Sequence, residues 1–280
     1  MGRVLMRLAA SLPLPLLHAA GTMLGWLAYV ASSRYRKRLR NNLAAAGYGA
    51  DLAVRRDAIA AAGCLFTETP FLWLRPHAEV AGLVRDVQGL ELVQGAQVAG
   101  RGILFLTPHH GCFEISALYA GLLFPITVMY RPPKSAWLEP FMRAGRERPG
   151  MRLASADLDG VRDVLLALRR HEAVGILPDQ VPGVGEGEWA EFFGKPAYTM
   201  TFAPKLAMRK DVTCLIAFAR RLPWGRGYTL SVRAFGAALP GETPARRLNR
   251  CLEDLIRECP GQYLWGYNRY KTPAGASGPQ

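Results

Sequence analysis

Between residues 103 and 177 short apolar runs alternate with longer amphipathic stretches, and this rhythm restricts the fold more than any other feature of the chain. Ile103 to Leu106, Ile126 to Tyr130, Arg152 to Ala154 and Ala173 to Leu177 read as strands. Gly111 to Leu123, Ala136 to Arg148 and Leu158 to Arg170 read as the helices between them. Strands separated by helices of about 10–15 residues are parallel neighbours joined by crossovers, because parallel strands cannot be linked by a tight turn. The flanks continue the pattern. Asp51 to Leu74 predicts one long helix or two joined at Pro70, and Leu90 to Val98 a short one. Glu191 to Phe193 predicts a strand and Thr199 to Arg209 a helix. Val212 to Ala219 and Tyr228 to Ala234 predict strands, and Pro244 to Arg257 a helix. The expected fold is a single α/β domain with a central, mostly parallel or mixed sheet flanked by helices.

The N-terminus is different. From Leu8 to Ser33 the chain has no charge apart from His18, and Pro13 and Pro15 divide the stretch. The piece from Leu16 to Ser33 reaches ~27 Å as a helix, close to the ~30 Å of a bilayer core. Arg34, Arg36, Lys37, Arg38 and Arg40 follow at once. A cleaved signal peptide does not fit, since the basic run stands where the mature chain would begin. Two readings place the segment in a membrane. One is a single span with the basic run on the cytoplasmic side. The other is a monotopic or interfacial helix with the basic run on anionic headgroups. A buried core helix with a solvated basic face is the bland alternative. Residues 1–40 are therefore expected to be a hydrophobic membrane-anchoring helix with its basic flank, 41–272 the α/β domain, and 273–280 a disordered tail.

Charge supports this division. The chain of 280 residues carries a formal net charge of +13. Seven of those charges, including Arg3 and Arg7, lie in the first 50 residues, which contain no Asp or Glu. A nucleic-acid surface would spread its cations over one folded face, so no nucleic-acid partner is expected. The five cysteines are odd in number and widely spaced, with no C-x-x-C, so a disulfide framework or zinc site is not expected.

In open α/β sheets ligands bind beyond the carboxyl ends of the strands. That rule selects three loops: Thr107 to Glu114, Arg131 to Lys134, and Pro178 to Gln180. The first supplies His109 and His110 at a strand end and Glu114 on the next helix. An imidazole can take a proton near neutral pH, and a carboxylate can fix its tautomer. Spacing alone does not choose between the two histidines. There is no G-x-S-x-G elbow and no G-x-x-x-x-G-K-[ST] loop. Gly183-Val-Gly185-Glu-Gly187 does not follow a strand as a dinucleotide loop must. Cys112 on a helix reads as packing. Without an internal nucleophile, the arrangement suits direct attack by a substrate hydroxyl that the histidine deprotonates. Arg131, Lys134, Arg143, Arg146 and Arg148 add cations beside it. Arg143 and Arg146 are i,i+3 neighbours that can face one way, and guanidinium matches phosphate geometry.

These blocks resemble, in order, the bacterial lipid A biosynthesis lauroyl/myristoyl acyltransferases of the lysophospholipid acyltransferase superfamily. The resemblance rests on the basic stretch Arg36 to Leu43 and on Thr107-Pro-His109-His-Gly-Cys-Phe-Glu114, an H-x4-D/E signature. It continues through Tyr130-Arg131-Pro, Arg143 to Gly150, Pro178-Asp179-Gln180, Phe192 to Thr199, and Gln262 to Lys271. His110, Cys112 and Tyr267 differ from the residues more common at those positions. The resemblance implies a membrane-bound O-acyltransferase that moves a fatty acyl chain from an acyl-carrier-protein thioester to a hydroxyl of a lipid A precursor. It makes His109 and Glu114 catalytic, with His109 as general base and Glu114 orienting it. It makes Arg131, Arg143, Arg146, Asp179 and Gln180 substrate-binding, and implies no cofactor and no metal. It also implies the inner (cytoplasmic) membrane, with the catalytic domain facing the cytoplasm. Other expectations stay open: the same chemistry on a glycerophospholipid, aminolipid or other glycolipid, or a non-catalytic protein of the membrane surface.

Overall fold

The computed structural model describes residues 6–7, 10–133 and 135–279. Arg3, Leu8, Lys134 and residue 280, named above, lie outside them. The described helices are α1 (Leu14–Ala31), α2 (Ser33–Ala45), α3 (Leu52–Leu74), α4 (His77–Ala81) and α5 (Leu90–Val98), followed by α6 (Phe113–Leu123), α7 (Glu139–Arg146), α8 (Leu158–Arg169), α9 (Phe202–Ala207) and α10 (Pro244–Glu258). The strands are β1 (Val84–Gln88), β2 (Gly102–Leu106), β3 (Ile126–Tyr130), β4 (Met151–Ser155), β5 (Ala173–Ile176), β6 (Gly187–Phe192), β7 (Lys195–Met200), β8 (Val212–Arg221) and β9 (Tyr228–Ala234).

One sheet runs in the order β1-β9-β8-β2-β5-β3-β4, and β6 and β7 form a separate hairpin. Neighbours pair in parallel except β8 with β9, which are antiparallel. The α/β architecture with a mostly parallel sheet is as expected. Every residue of β2 and β5 is buried, as strands covered by helices on both faces must be. Successive side chains alternate between two cores. Leu104 and Leu106 join Val164 and Leu168 of α8 and Leu252 of α10. Ile103 and Phe105 join Ile115 and Leu118 of α6 and Phe71 and Leu72 of α3. Truncating a fully buried leucine such as Leu104 costs about 2–5 kcal/mol.

Local chemistry sets several element ends. Asp51 caps α3 by accepting from the Ala53 and Val54 amides, and Asp157 caps α8 through Gly160 N. Pro13 and Pro15 do not break α1. They stand at its start, where a missing N–H costs nothing. Pro70 lies inside α3, which runs as one helix.

Besides the short helix α4, which the sequence pattern does not predict, two elements differ from expectation. The predicted helix Thr199–Arg209 begins as strand β7 and only then turns into α9. Its hairpin turn is Phe193-Gly194, both at positive φ, with Phe192 paired to Lys195. A two-residue hairpin turn of that shape favours Asn-Gly, so Phe-Gly gives no signal. Burial of Phe193 against Trp265, and its amide bonded to Glu253, hold it there instead. The other is β1, which the sequence pattern does not predict. It is an edge strand carrying Arg85 and Asp86, half exposed, with too little alternation to read. The tail has no helix or strand over 274–279, and Ser277 O accepts from Trp189 Nε1 at 2.8 Å.

Candidate active site

Because β2, β5 and β3 are adjacent and parallel, the loops after them open on one edge of the sheet. Residues from all three line one cavity of about 860 Å³: His109, Phe113 and Glu114 after β2, Arg131 after β3, and Leu177, Gln180 and Val181 after β5. Arg146 and Met142 of α7 and Met200, Phe202 and Lys205 of the β7–α9 segment complete its wall. Its volume suits a large ligand. A narrow apolar slot of about 60 Å³ adjoins it between α6 and the sheet. The two share Phe113, Ala117, Val128, Ile176 and Leu177.

The loop from Thr107 to Cys112 is pinned by backbone bonds. Thr107 N donates to Ile176 O, Gly111 N to Gln262 O, Cys112 N to Ala219 O, and Leu264 N to His109 O. Gly111 has φ +58, and a Cβ on it would lie 1.9 Å from Ala219 O. Only glycine fits that turn. The C-terminal stretch therefore braces the histidine loop. It braces the third loop as well, since Val181 N donates to Tyr267 Oη at 2.9 Å.

The structure separates the two histidines. His110 is fully buried against Phe218 and Tyr263, and neither ring nitrogen has a partner among the described residues. Burial, reinforced by Arg221, holds its ring down at about 3, so it stays neutral and away from the cavity. His109 lines the cavity. Its Nδ1 lies 2.8 Å from Asp179 Oδ1, and its backbone N donates to Asp179 Oδ2 at 2.9 Å. Its Nε2 lies 3.0 Å from Gln180 Nε2. With Asp179 accepting from Nδ1–H, Nε2 is the basic nitrogen. Burial alone would raise the Asp179 carboxyl, but the His109 ring and amide outweigh it and hold it below the usual carboxylate range.

The pairing expected between His109 and Glu114 is taken by Asp179. Glu114 instead accepts from Arg146, through Nε at 2.9 Å and through Nη2, and from Trp73 Nε1 at 3.1 Å. The Arg146 guanidinium also stacks over Trp73. Five residues separate His109 from Glu114 across a turn and a helix start, and Arg146 reaches the carboxylate from α7. Arg143 does not share the site as an i,i+3 partner of Arg146. It bonds Tyr130 Oη at 2.8 Å and pairs with Glu147, and it is not among the cavity-lining residues. Arg131 stands at the cavity, largely exposed, 3.7 Å from Glu186. Arg148 is structural: it caps the end of α3 through the Trp73 and Arg75 carbonyls. Cys112 is buried, and burial pushes its thiol well above the usual range, which removes it as a nucleophile. Trp73, Gln262 and Tyr267 contribute to the site without a sequence signal of that role. A tryptophan in a long apolar helix reads as core, and backbone bracing leaves no mark in side-chain type.

A mixed α/β sheet with a carboxylate-held histidine at its edge, facing a mainly apolar cavity with cations in its wall, defines a class of group-transfer enzyme for amphiphilic substrates. Residues 1–272 match the family of bacterial lipid A biosynthesis acyltransferases. The chain is 28% identical over 273 residues to the lipid A biosynthesis lauroyltransferase of Escherichia coli (strain K12), covering 95% of this chain and 88% of that protein. It is 28% identical over 275 residues to the palmitoleoyltransferase of the same organism, covering 95% and 89%. It is 25% identical over 198 residues to the myristoyltransferase, covering 67% and 59%. The chain belongs to the bacterial lipid A biosynthesis acyltransferase family, and its chemistry is O-acyl transfer.

Proposed function

We propose that this enzyme transfers a fatty acyl chain from an acyl-carrier-protein thioester to a hydroxyl of a lipid A precursor, at the cytoplasmic face of the inner membrane. The observation that carries the reading is His109, bonded through Nδ1 to buried Asp179 and lining the large cavity. The acceptor hydroxyl replaces Gln180 as the partner of His109 Nε2. Nε2 takes its proton as the oxygen attacks the thioester carbonyl. The tetrahedral species then collapses, the C–S bond breaks, and the imidazolium returns the proton to the carrier thiolate. Asp179 keeps Nδ1 protonated and stabilises the imidazolium.

Glu114 serves the site through Arg146, which it holds at the cavity wall in a bidentate pair. Arg146 and Arg131 are the groups suited to acceptor phosphates. The apolar walls and the adjoining slot suit acyl chains. Exposed cations at the cavity, Arg131 among them, complement an acidic carrier protein. The exposed side of α1 supports membrane association.

The test is acylation by the purified full chain. Acyl-carrier-protein thioester is offered with a phosphorylated, acylated glucosamine disaccharide, and in parallel with a glycerophospholipid. The expected product is the disaccharide heavier by one acyl group. Acylation of the glycerophospholipid alone would overturn the acceptor, and transfer to neither would overturn the reaction.

A further inference from the structure

Helix α1 is apolar on all sides, yet the protein uses only one of them. Leu14, Leu17, His18, Gly21 and Gly25 are buried, and they form a seam along α3. A Cβ on Gly63 of α3 would lie 1.9 Å from Gly21 O, and one on Gly25 would lie 2.2 Å from Ile59 O. The two backbones are in contact along this line. Polar bonds fasten it. Thr67 Oγ1 donates to Leu17 O at 2.7 Å, and His18 Nε2 lies 2.9 Å from Glu68 Oε2. Glu68 is fully buried and also accepts from Arg221, at the end of β8, and from Tyr228 Oη. Separating α1 from α3 would take His18 from a buried carboxylate, leave Thr67 Oγ1 without the Leu17 carbonyl and open the close backbone contact, all of which is unfavourable.

This seam bears on how the helix meets a membrane. If α1 crossed a bilayer, α3 would cross antiparallel beside it and carry the Glu68–Arg221 pair, with the end of β8, into the hydrocarbon at the level of His18. Charges at the bilayer centre are costly. The unused side of α1 offers another route. Leu16, Met23, Leu27 and Val30 recur at helical spacing and are 57–73% exposed. Phe66, one turn from Gly63 on α3, is 76% exposed. One residue beyond the end of α1, helix α2 turns Arg34, Lys37 and Arg40 to solvent at i,i+3 spacing. Arg36 holds the corner by donating to Tyr29 O and Val30 O, both at 2.9 Å.

We infer that α1 docks on an anionic phospholipid bilayer as a helix lying in the interface, through its Leu16–Met23–Leu27–Val30 face, and does not cross it. The inference rests on the membrane association proposed above. An amphiphilic face beside exposed cations matches the boundary between acyl chains and anionic headgroups.

The full chain, tagged at both ends, is tested in two ways. In sedimentation with phosphatidylglycerol vesicles it binds, and Met23→Glu and Leu27→Glu each weaken binding about tenfold or more, the loss expected from one large apolar side chain. Both positions are exposed, so circular dichroism stays that of wild type. In intact spheroplasts both tags resist external protease, and both are cut after lysis. Absence of vesicle binding would overturn the membrane reading and the inference with it. Binding with the N-terminal tag cut in intact spheroplasts would overturn the interfacial mode alone, as would vesicle affinity indifferent to both substitutions.

Discussion

Replacing Asp179 by asparagine keeps the shape of the side chain and removes one of its two acceptors. Both carboxylate oxygens are in use, Oδ1 by the His109 ring and Oδ2 by the His109 backbone amide. The backbone N–H is a fixed donor, so the single oxygen of the substituted side chain turns to it. The new NH2 group then faces Nδ1, which must become an acceptor. The ring takes the other tautomer, with its proton on Nε2, and its base faces the wrong way. General-base assistance contributes about 10²–10⁴-fold. At 1.36 kcal/mol per tenfold, the barrier rises by roughly 2.7–5.5 kcal/mol. The assay is the single-turnover rate of acyl transfer with saturating donor and acceptor, alongside a thermal melt. The expected result is a rate lowered by about two to four orders of magnitude in a folded protein. A folded Asp179→Asn enzyme within about threefold of wild type, under ~1 kcal/mol of barrier, would refute the reasoning.

Other consequences follow from neighbouring groups. Arg146→Ala leaves Glu114 buried without its cation, which should cost about 3–5 kcal/mol in chemical denaturation as well as activity; unchanged stability would count against the pairing. Gln180→Ala removes one hydrogen bond to His109 Nε2, so kcat should change by no more than about tenfold, the worth of a single such bond. Glu68 is pulled up by burial but held at about 2 by Arg221 and His18. The stability it lends is complete above its ordinary value of 4.5 and is lost as pH falls towards 2. Melting temperature measured across that window should fall, and Glu68→Gln should flatten the fall while lowering stability at neutral pH by stranding Arg221.

Much of this was readable in the sequence. The strands β2, β3 and β5 announce themselves as apolar runs because they are covered on both faces, and their loops carry His109, Arg131, Asp179 and Gln180 to one edge. What spacing does not reveal is who bonds whom. His109 and Glu114 are near in sequence, yet the partner of His109 lies 70 residues away on a neighbouring strand's loop. Sheet order, not local spacing, decides that pairing. Arg143 and Arg146 share a helix, but Tyr130 and Glu147 claim the first and Glu114 the second. The hairpin of β6 and β7 was hidden because tertiary burial of Phe193 overrides the turn residues that normally mark such a bend.

The central claim is that His109 Nε2 is the base for acyl transfer to a lipid hydroxyl. The most direct measurement is the rate of product formation by purified His109→Ala with acyl-carrier-protein thioester and the phosphorylated disaccharide acceptor. His109 is partly exposed to the cavity, so the variant should fold. The account predicts transfer reduced by at least about 10²-fold with unchanged circular dichroism. Transfer at the wild-type rate by the folded variant would contradict it.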